Sequence, residues 1–94
     1  LELDDLVIDL GARTVAYRGA QVVLPPREFA LLETLALNAG RVVTRAQLDA
    51  RLYAWGEEVD SNALEVHVHH LRRKLAPEVI RTVRGVGYLL PTAR

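Results

Sequence analysis

The chain has 94 residues, half of them apolar, with 12 Lys and Arg against 12 Asp and Glu and with neither Cys nor Met. This length suits a single domain over residues 1–94 with its own core, and the absence of Cys excludes disulfide bonds, thiolate metal sites and thiol catalysis. No apolar run approaches the roughly 20 residues of a membrane span, so we expect a soluble, cytoplasmic protein. Because the chain begins at Leu1 and has no Met, we also expect it to be a piece of a longer protein.

The charged residues are unevenly distributed along the chain. Residues 1–66 contain 6 basic and 11 acidic side chains, whereas residues 67–94 contain 6 basic side chains and a single acidic one, Glu78. The neutral total therefore hides a basic C-terminal end. Such a domain can present a basic face to phosphates while it stays neutral as a whole.

The first 24 residues alternate apolar and polar side chains between turn residues, which predicts a short antiparallel meander. Its apolar positions are Leu6, Ile8, Leu10, Val15, Tyr17, Val22 and Leu24. Apolar residues at helical spacing then predict a first helix over 27–38. Pro26 suits the first position of this helix, and Gly40 suits the residue that ends it.

A capping box predicts where the second helix begins. Thr44 is followed three residues later by Gln47, and in this motif each side chain accepts a hydrogen bond from the backbone N–H of the other residue. We expect the helix to run through about Tyr53, with Val42 and Val43 as a short extended link before it. A polar loop follows over 54–60.

A third helix and a hairpin complete the predicted order of elements. Asp60 or Ser61 can cap the helix, which runs to residue 75 or 76 before Pro77 ends it. Two β-runs, over 80–83 and 88–90, then flank a Gly-x-Gly turn and predict a hairpin. Strands, three helices and a hairpin indicate a single α+β domain.

The two faces of the predicted third helix differ in character. At about 100° per residue, one stripe is apolar and is expected to be buried; it contains Leu64, Val68, Leu71 and Leu75. The opposite stripe contains Asn62, Val66, His69 and Arg73. Amide, imidazole and guanidinium groups beside a small apolar side chain are suited to reading base edges in a major groove, although a solvated helix face has a similar composition. On the flank, Glu65 is expected to pair with Arg72 or His69.

The predicted hairpin places Arg84 at its tip, directly before Gly85-Val86-Gly87. The glycines would let the backbone approach a ligand closely, and an arginine on a narrow projection suits the negative potential of an A·T-rich minor groove. A turn arginine that only solvates the tip is the alternative. A short capped helix, a loop, a longer basic helix and a hairpin form the arrangement of a winged helix-turn-helix, which favours DNA binding.

Four segments of the sequence carry a family resemblance. They are EFALL over 28–32, GRVVTR over 40–45, SNALEVHVHHLRRKL over 61–75 and IRTVRGVGY over 80–88. Together they resemble the C-terminal effector domain of the OmpR/PhoB family of two-component response regulators, and residues 52–88 are most similar to its PmrA/QseB branch. The resemblance spans 6–90. It implies a winged helix with an N-terminal four-stranded antiparallel sheet, three helices and a C-terminal β-hairpin wing, and an N-terminal receiver domain outside this chain.

The resemblance also implies which residues contact partners. On the recognition helix they are Asn62, Val66, His69, His70 and Arg73; on the wing they are Thr82 and Arg84; and the further phosphate contacts are Arg45, Tyr53 and Arg72. The loop with Trp55, Glu57 and Glu58 matches one that touches RNA polymerase in several members. Pro25 stands where the family often has a hydroxyl residue, so the usual cap of the first helix is not expected.

The function implied is sequence-specific binding of double-stranded DNA that controls transcription, with no cofactor. The resemblance further implies a homodimer on direct-repeat promoter sites, contact with RNA polymerase, and a sensor kinase that acts through the receiver domain.

Three alternatives belong to other classes of function. A winged helix can dock a protein such as RNA polymerase without reading DNA. A metal site would use His67 and His70, which are one helical turn apart, but the helical wheel puts His67 beside the buried stripe, where a histidine satisfied at the edge of the core is favoured. No constellation of catalytic residues is legible, so we expect neither a metal site nor an enzyme.

Overall fold

The computed structural model describes residues 1–53 and 62–92. Its strands are β1 (Glu2–Leu3), β2 (Leu6–Asp9), β3 (Thr14–Tyr17), β4 (Ala20–Val22), β5 (Val43–Thr44), β6 (Arg81–Val83) and β7 (Gly87–Leu89). Its helices are α1 (Pro26–Leu37), α2 (Arg45–Leu52) and α3 (Ala63–Lys74), and a short 3₁₀ turn occupies Pro77–Val79. The α+β winged-helix fold predicted from the sequence is confirmed.

The N-terminal meander forms a four-stranded antiparallel sheet in the order β1-β2-β3-β4. Leu6, Ile8 and Val15 point into the core, while Val7 between them is exposed, which is the period-two pattern of a sheet with one buried face. Leu10 was expected to continue the inward series. It is exposed instead, because β2 already ends at Asp9.

Helix α1 begins at Pro26, as predicted, and ends at Leu37. Pro25 precedes it without a side-chain cap, since proline has no side-chain acceptor, and its carbonyl accepts the N–H of Phe29 at 2.9 Å. Gly40 lies two residues beyond the C-cap with φ +82°. Its N–H donates to the carbonyl of Leu90 at 2.8 Å, which ties the end of α1 to the C-terminal strand region.

The capping box of α2 is present in full. The backbone N–H of Gln47 donates to Thr44 Oγ1 at 3.1 Å, and the backbone N–H of Thr44 donates to Gln47 Oε1 at 3.0 Å. Thr44 is also the last residue of β5, which pairs with β7, so the hairpin belongs to a three-stranded sheet in the order β5-β7-β6. The sequence indicated only an extended link there, because a two-residue strand carries no periodic pattern.

Helix α3 is shorter at both ends than predicted. It starts at Ala63, and Asn62 is its N-cap without a side-chain hydrogen bond; the predicted caps Asp60 and Ser61 lie outside the described residues. Three of the four stripe residues are buried, namely Leu64, Val68 and Leu71, in one core cluster with residues of α1 and α2. Leu75 is only half-buried because it already belongs to the C-cap. Among the described residues, no helix is long and apolar enough to cross a membrane.

Candidate nucleic-acid interface

The outward side of α3 is exposed along its whole length. Its exposed residues are Asn62, Val66, His69, His70 and Arg73. Val66 keeps 41% of its surface exposed, although a β-branched apolar side chain gains nothing from water. The structure thus brings the predicted recognition residues onto one accessible surface, opposite the buried stripe.

A buried carboxylate holds the C-terminal half of α3 against α1. Glu28 in the first turn of α1 is 4% exposed. It accepts a hydrogen bond from Lys74 Nζ at 2.7 Å, and its other oxygen lies 3.1 Å from His70 Nδ1. Because Nδ1 is engaged, Nε2 is the nitrogen of His70 that can meet a ligand. Sequence reasoning missed Glu28 and Lys74, since no local pattern joins residues 46 positions apart.

Arg72 connects α3 to the wing. Its Nε and Nη2 donate to the carbonyl of Ile80 at 3.1 and 2.7 Å, and Nη2 also donates to Thr82 Oγ1 at 2.8 Å. The hydroxyl of Thr82 accepts in this contact and keeps its own O–H to donate outward. The guanidinium of Arg72 therefore braces the wing, so its predicted phosphate contact competes with this bracing.

The expectation that Glu65 pairs with Arg72 or His69 is wrong, because the partner of Glu65 is Arg45 of α2. Arg45 Nη1 donates to Glu65 Oε1 in a short ion pair. The hydrogen bond raises the pKa of Arg45 and lowers the pKa of Glu65 relative to their ordinary values. The side chains are 43% and 44% exposed, so water and salt reach the pair.

Arg45 also marks where the wing meets the helix pair. Its backbone N–H donates to the carbonyl of Val86 in the hairpin turn at 3.2 Å, while its side chain reaches Glu65 in the first turn of α3. One residue thus contacts both the hairpin turn and the start of α3. The two surfaces predicted to bind DNA are therefore neighbours.

Tyr53, a predicted phosphate contact, is held by two side chains. Its hydroxyl lies 3.0 Å from His67 Nε2, and the guanidinium of Arg27 lies 4.3 Å from the centre of its ring. Burial lowers the pKa of His67, and Arg27 adds to this effect, against an opposing influence of Glu28. His67 thus lies at the edge of the core, as the sequence favoured, but it is only partly satisfied: Nε2 pairs with Tyr53, while Nδ1 is buried with no hydrogen-bond partner among the described residues.

The hairpin turn is built around Gly85. Its φ of +74° suits glycine, and the N–H of Val86 donates to the carbonyl of Val83 at 3.0 Å. Arg84 is exposed at this tip. Gly87 serves another purpose than the predicted approach to a ligand, because a Cβ there would overlap the carbonyl oxygen of Val43. The backbone of Gly87 therefore closely approaches β5, inside the protein.

The basic side chains of the C-terminal half fall into two groups. Arg72 and Lys74 hydrogen-bond within the domain, whereas Arg73, Arg81 and Arg84 are exposed and have no hydrogen bond or ion pair with another described residue. Only the second group is free to meet phosphates without breaking an internal contact. Within 1–53 and 62–92, no three His, Asp or Glu side chains converge as a metal ion would require.

The predicted RNA polymerase contacts lie outside the described residues. They are Trp55, Glu57 and Glu58.

Comparison with known proteins agrees with this geometry. Residues 19–90 match the model of the family described as transcriptional regulatory protein, C terminal. The chain is 55% identical over 86 residues to the transcriptional regulatory protein QseB of Escherichia coli O157:H7, covering 92% of this chain and 39% of that protein. It is 54% identical over 84 residues to the response regulator protein PmrA of Pseudomonas aeruginosa, covering 89% of this chain and 38% of that protein.

A solved structure extends the comparison to a DNA complex. The crystal structure of the Klebsiella pneumoniae RstA DNA-binding domain in complex with the RstA box matches with a TM-score of 0.85 and 30% identity, over 97% of this chain and 95% of that one. The chain spans about two fifths of the length of the two curated relatives.

Proposed function

Since the chain belongs to the family of C-terminal domains of transcriptional regulatory proteins, the effector domains of OmpR/PhoB-type response regulators, we propose that it regulates transcription by binding specific sites on double-stranded DNA. Helix α3 enters the major groove, and the hairpin formed by β6 and β7 contacts the adjacent minor groove. This role requires binding and no catalysis.

The contact of Arg45 with both the wing turn and the first turn of α3 carries this proposal. It sets the exposed side of α3 beside the exposed tip with Arg84. In helix-turn-helix proteins the N-terminal part of the recognition helix contacts base edges, and here that part presents Asn62 and Val66. Amide groups suit adenine edges, and small apolar groups suit the thymine methyl.

The free basic side chains set the strength of the electrostatic contribution. Arg73, Arg81 and Arg84 give about three charged phosphate contacts; Thr82 can add a hydrogen bond but no charge, and Arg45 is paired with Glu65. The logarithm of affinity is then expected to fall with the logarithm of salt concentration with a slope of roughly −3. A slope of about −4.5 or steeper would indicate that cations such as Arg72 and Lys74 leave their internal partners for phosphates.

A single domain of this size can prefer a short motif but covers too little DNA to select a promoter, because one module buries roughly 600–1,000 Å² on the duplex. We infer that the longer protein binds as two copies on direct repeats, since joining two modules raises the effective concentration of the second. A receiver domain, its sensor kinase and contact with RNA polymerase through the loop after α2 belong to the same proposal.

Selection of bound duplexes from a random pool tests the proposal most directly. We expect the chain to enrich a defined motif and to bind it at least about tenfold more tightly than a scrambled duplex at moderate salt. Asn62→Ala is expected to relax base preference at one position, with a smaller effect on the scrambled duplex. A chain that enriches no motif would contradict specific DNA binding and favour the protein-docking alternative.

A further inference from the structure

Glu65 is the acidic residue of α3, and it lies at the border of the proposed DNA surface. At about 100° per residue it lies only about 40° around the helix from His69, on the side that carries Arg72. Its side chain is 44% exposed, in the first turn of α3. A carboxylate in this position repels phosphates, so its presence weakens binding to any duplex that gives it no partner.

We propose that Glu65 is a specificity-determining residue that accepts a hydrogen bond from the exocyclic amino group of a cytosine in the major groove, and that Arg45 is the positioning residue that aims it. This inference rests on the proposed function. Cytosine and adenine both present an amino donor in the major groove, but the donor of adenine stands beside the N7 acceptor, which repels a carboxylate. A carboxylate is the usual acceptor for the amino group of cytosine.

The ion pair with Arg45 suits this role better than a purely structural one. A half-exposed pair contributes little to stability, yet it fixes the direction of one flexible acidic side chain before DNA arrives. A carboxylate has about four lone-pair sites on two oxygens, so pairing with Arg45 leaves capacity for a base amino group. Arg45 is itself anchored by its backbone N–H to Val86 of the wing turn, which fixes the point from which it holds Glu65.

The proposal predicts opposite effects for the two members of the pair. In Glu65→Gln the repulsion of phosphates is removed and Arg45 is released, so affinity for a scrambled duplex is expected to rise about 3–10-fold. In Arg45→Gln the carboxylate loses its neutralising partner, so affinity for the same duplex is expected to fall. These opposite signs test whether the pair lies close to the phosphates; they follow from the two charges alone, so the base preference decides whether Glu65 reads a base.

The base preference supplies the second readout. The duplex selected by the unaltered chain is titrated, together with versions in which each C·G pair of the motif is replaced by T·A. One replacement is expected to cost the unaltered chain about 5–100-fold in affinity. It is expected to cost Glu65→Ala, which unlike Gln keeps no acceptor oxygen, less than about twofold. Glu2→Gln makes the same change of charge on an exposed residue of β1 and is expected to leave both readouts unchanged.

The outcomes separate the two hypotheses. If every C·G replacement costs Glu65→Ala as much as the unaltered chain, or if Glu65→Gln does not raise the affinity for the scrambled duplex, the role of Glu65 is overturned while specific DNA binding stands. If the unaltered chain selects no motif, the proposed function fails and this inference fails with it.

Discussion

Replacing Arg72 with Met is expected to detach the third helix from the wing while leaving most of the side chain in place. The guanidinium makes two hydrogen bonds to the carbonyl of Ile80 and one to Thr82 Oγ1. Ile80 is 2% exposed, so its carbonyl has little access to water as a substitute donor. Met keeps an unbranched apolar stem, which confines the perturbation to the lost donors.

The size of the effect follows from the burial of the two partners. A hydrogen bond from a charged donor contributes about 1.5–3 kcal/mol net. Arg72 is half-buried, so water recovers part of this, and we expect the free energy of unfolding to fall by about 1.5–2 kcal/mol in total. For a domain of this size the corresponding decrease in Tm is roughly 6–16 °C.

Urea unfolding followed by far-ultraviolet circular dichroism measures the loss, with Arg73→Met as the matched control. Arg73 is the next residue, carries the same group, and is exposed without a partner among the described residues, so its replacement is expected to change stability by no more than about 0.5 kcal/mol. In DNA binding, Arg73→Met is the variant expected to have the larger effect on the salt dependence. It removes about one phosphate contact, so the slope of affinity against salt becomes shallower by about one. Equal stability losses in the two variants would refute the bracing role of Arg72.

Three further predictions concern the wing and the core edge. Gly87→Ala is expected to destabilise the domain by about 3 kcal/mol or more in urea titrations, because the new Cβ meets the carbonyl of Val43. The control is Gly11→Ala, which is expected to be tolerated because its Cβ makes only ordinary contacts. Arg84→Ala is expected to leave stability unchanged and to weaken DNA binding by about 1–3 kcal/mol, most strongly on duplexes with A·T-rich flanks. A loss of affinity that does not depend on the flanking sequence would argue against minor-groove insertion. The pKa of His67 is lowered in the folded protein, so the unfolded chain binds a proton more readily and the free energy of unfolding is expected to decrease as pH falls below about 6.5. His67→Gln is expected to make this decrease smaller, and identical profiles of stability against pH for the two proteins would contradict the prediction.

Local patterns predicted the elements of this fold well. The capping box at Thr44 and Gln47, the stripe on α3 and the turn before Gly87 each depend on residues within a few positions of one another, and each is present. The same periodicity predicted which side of α3 is exposed. Periodic patterns and short motifs therefore predicted the type and order of these elements, and were less accurate at their ends.

Local patterns misjudged some element ends, such as Leu10 beyond β2 and Leu75 at the C-cap of α3, and the larger errors concern contacts between distant segments. Glu65 has basic neighbours within its own helix, which made Arg72 a reasonable partner, yet the packing of α2 against α3 brings Arg45 closer. Glu28 and Lys74 meet only because α1 crosses α3. Such pairs depend on how helices pack, and no periodicity in one segment encodes the position of another.

Thr44 belongs to β5 and also caps α2, so no linker separates the sheet of the wing from the helices. Gly87 brings β7 against that same junction. Within the described residues this junction holds the wing directly against α2, and α3 packs on α2 through the pair of Arg45 and Glu65, so the two proposed groove contacts keep a nearly fixed separation and the duplex has to adopt the matching twist and groove width. The energy of that adjustment depends on the base steps being deformed. Base pairs between the two contacts are thus expected to influence target choice through their stiffness, without touching any side chain.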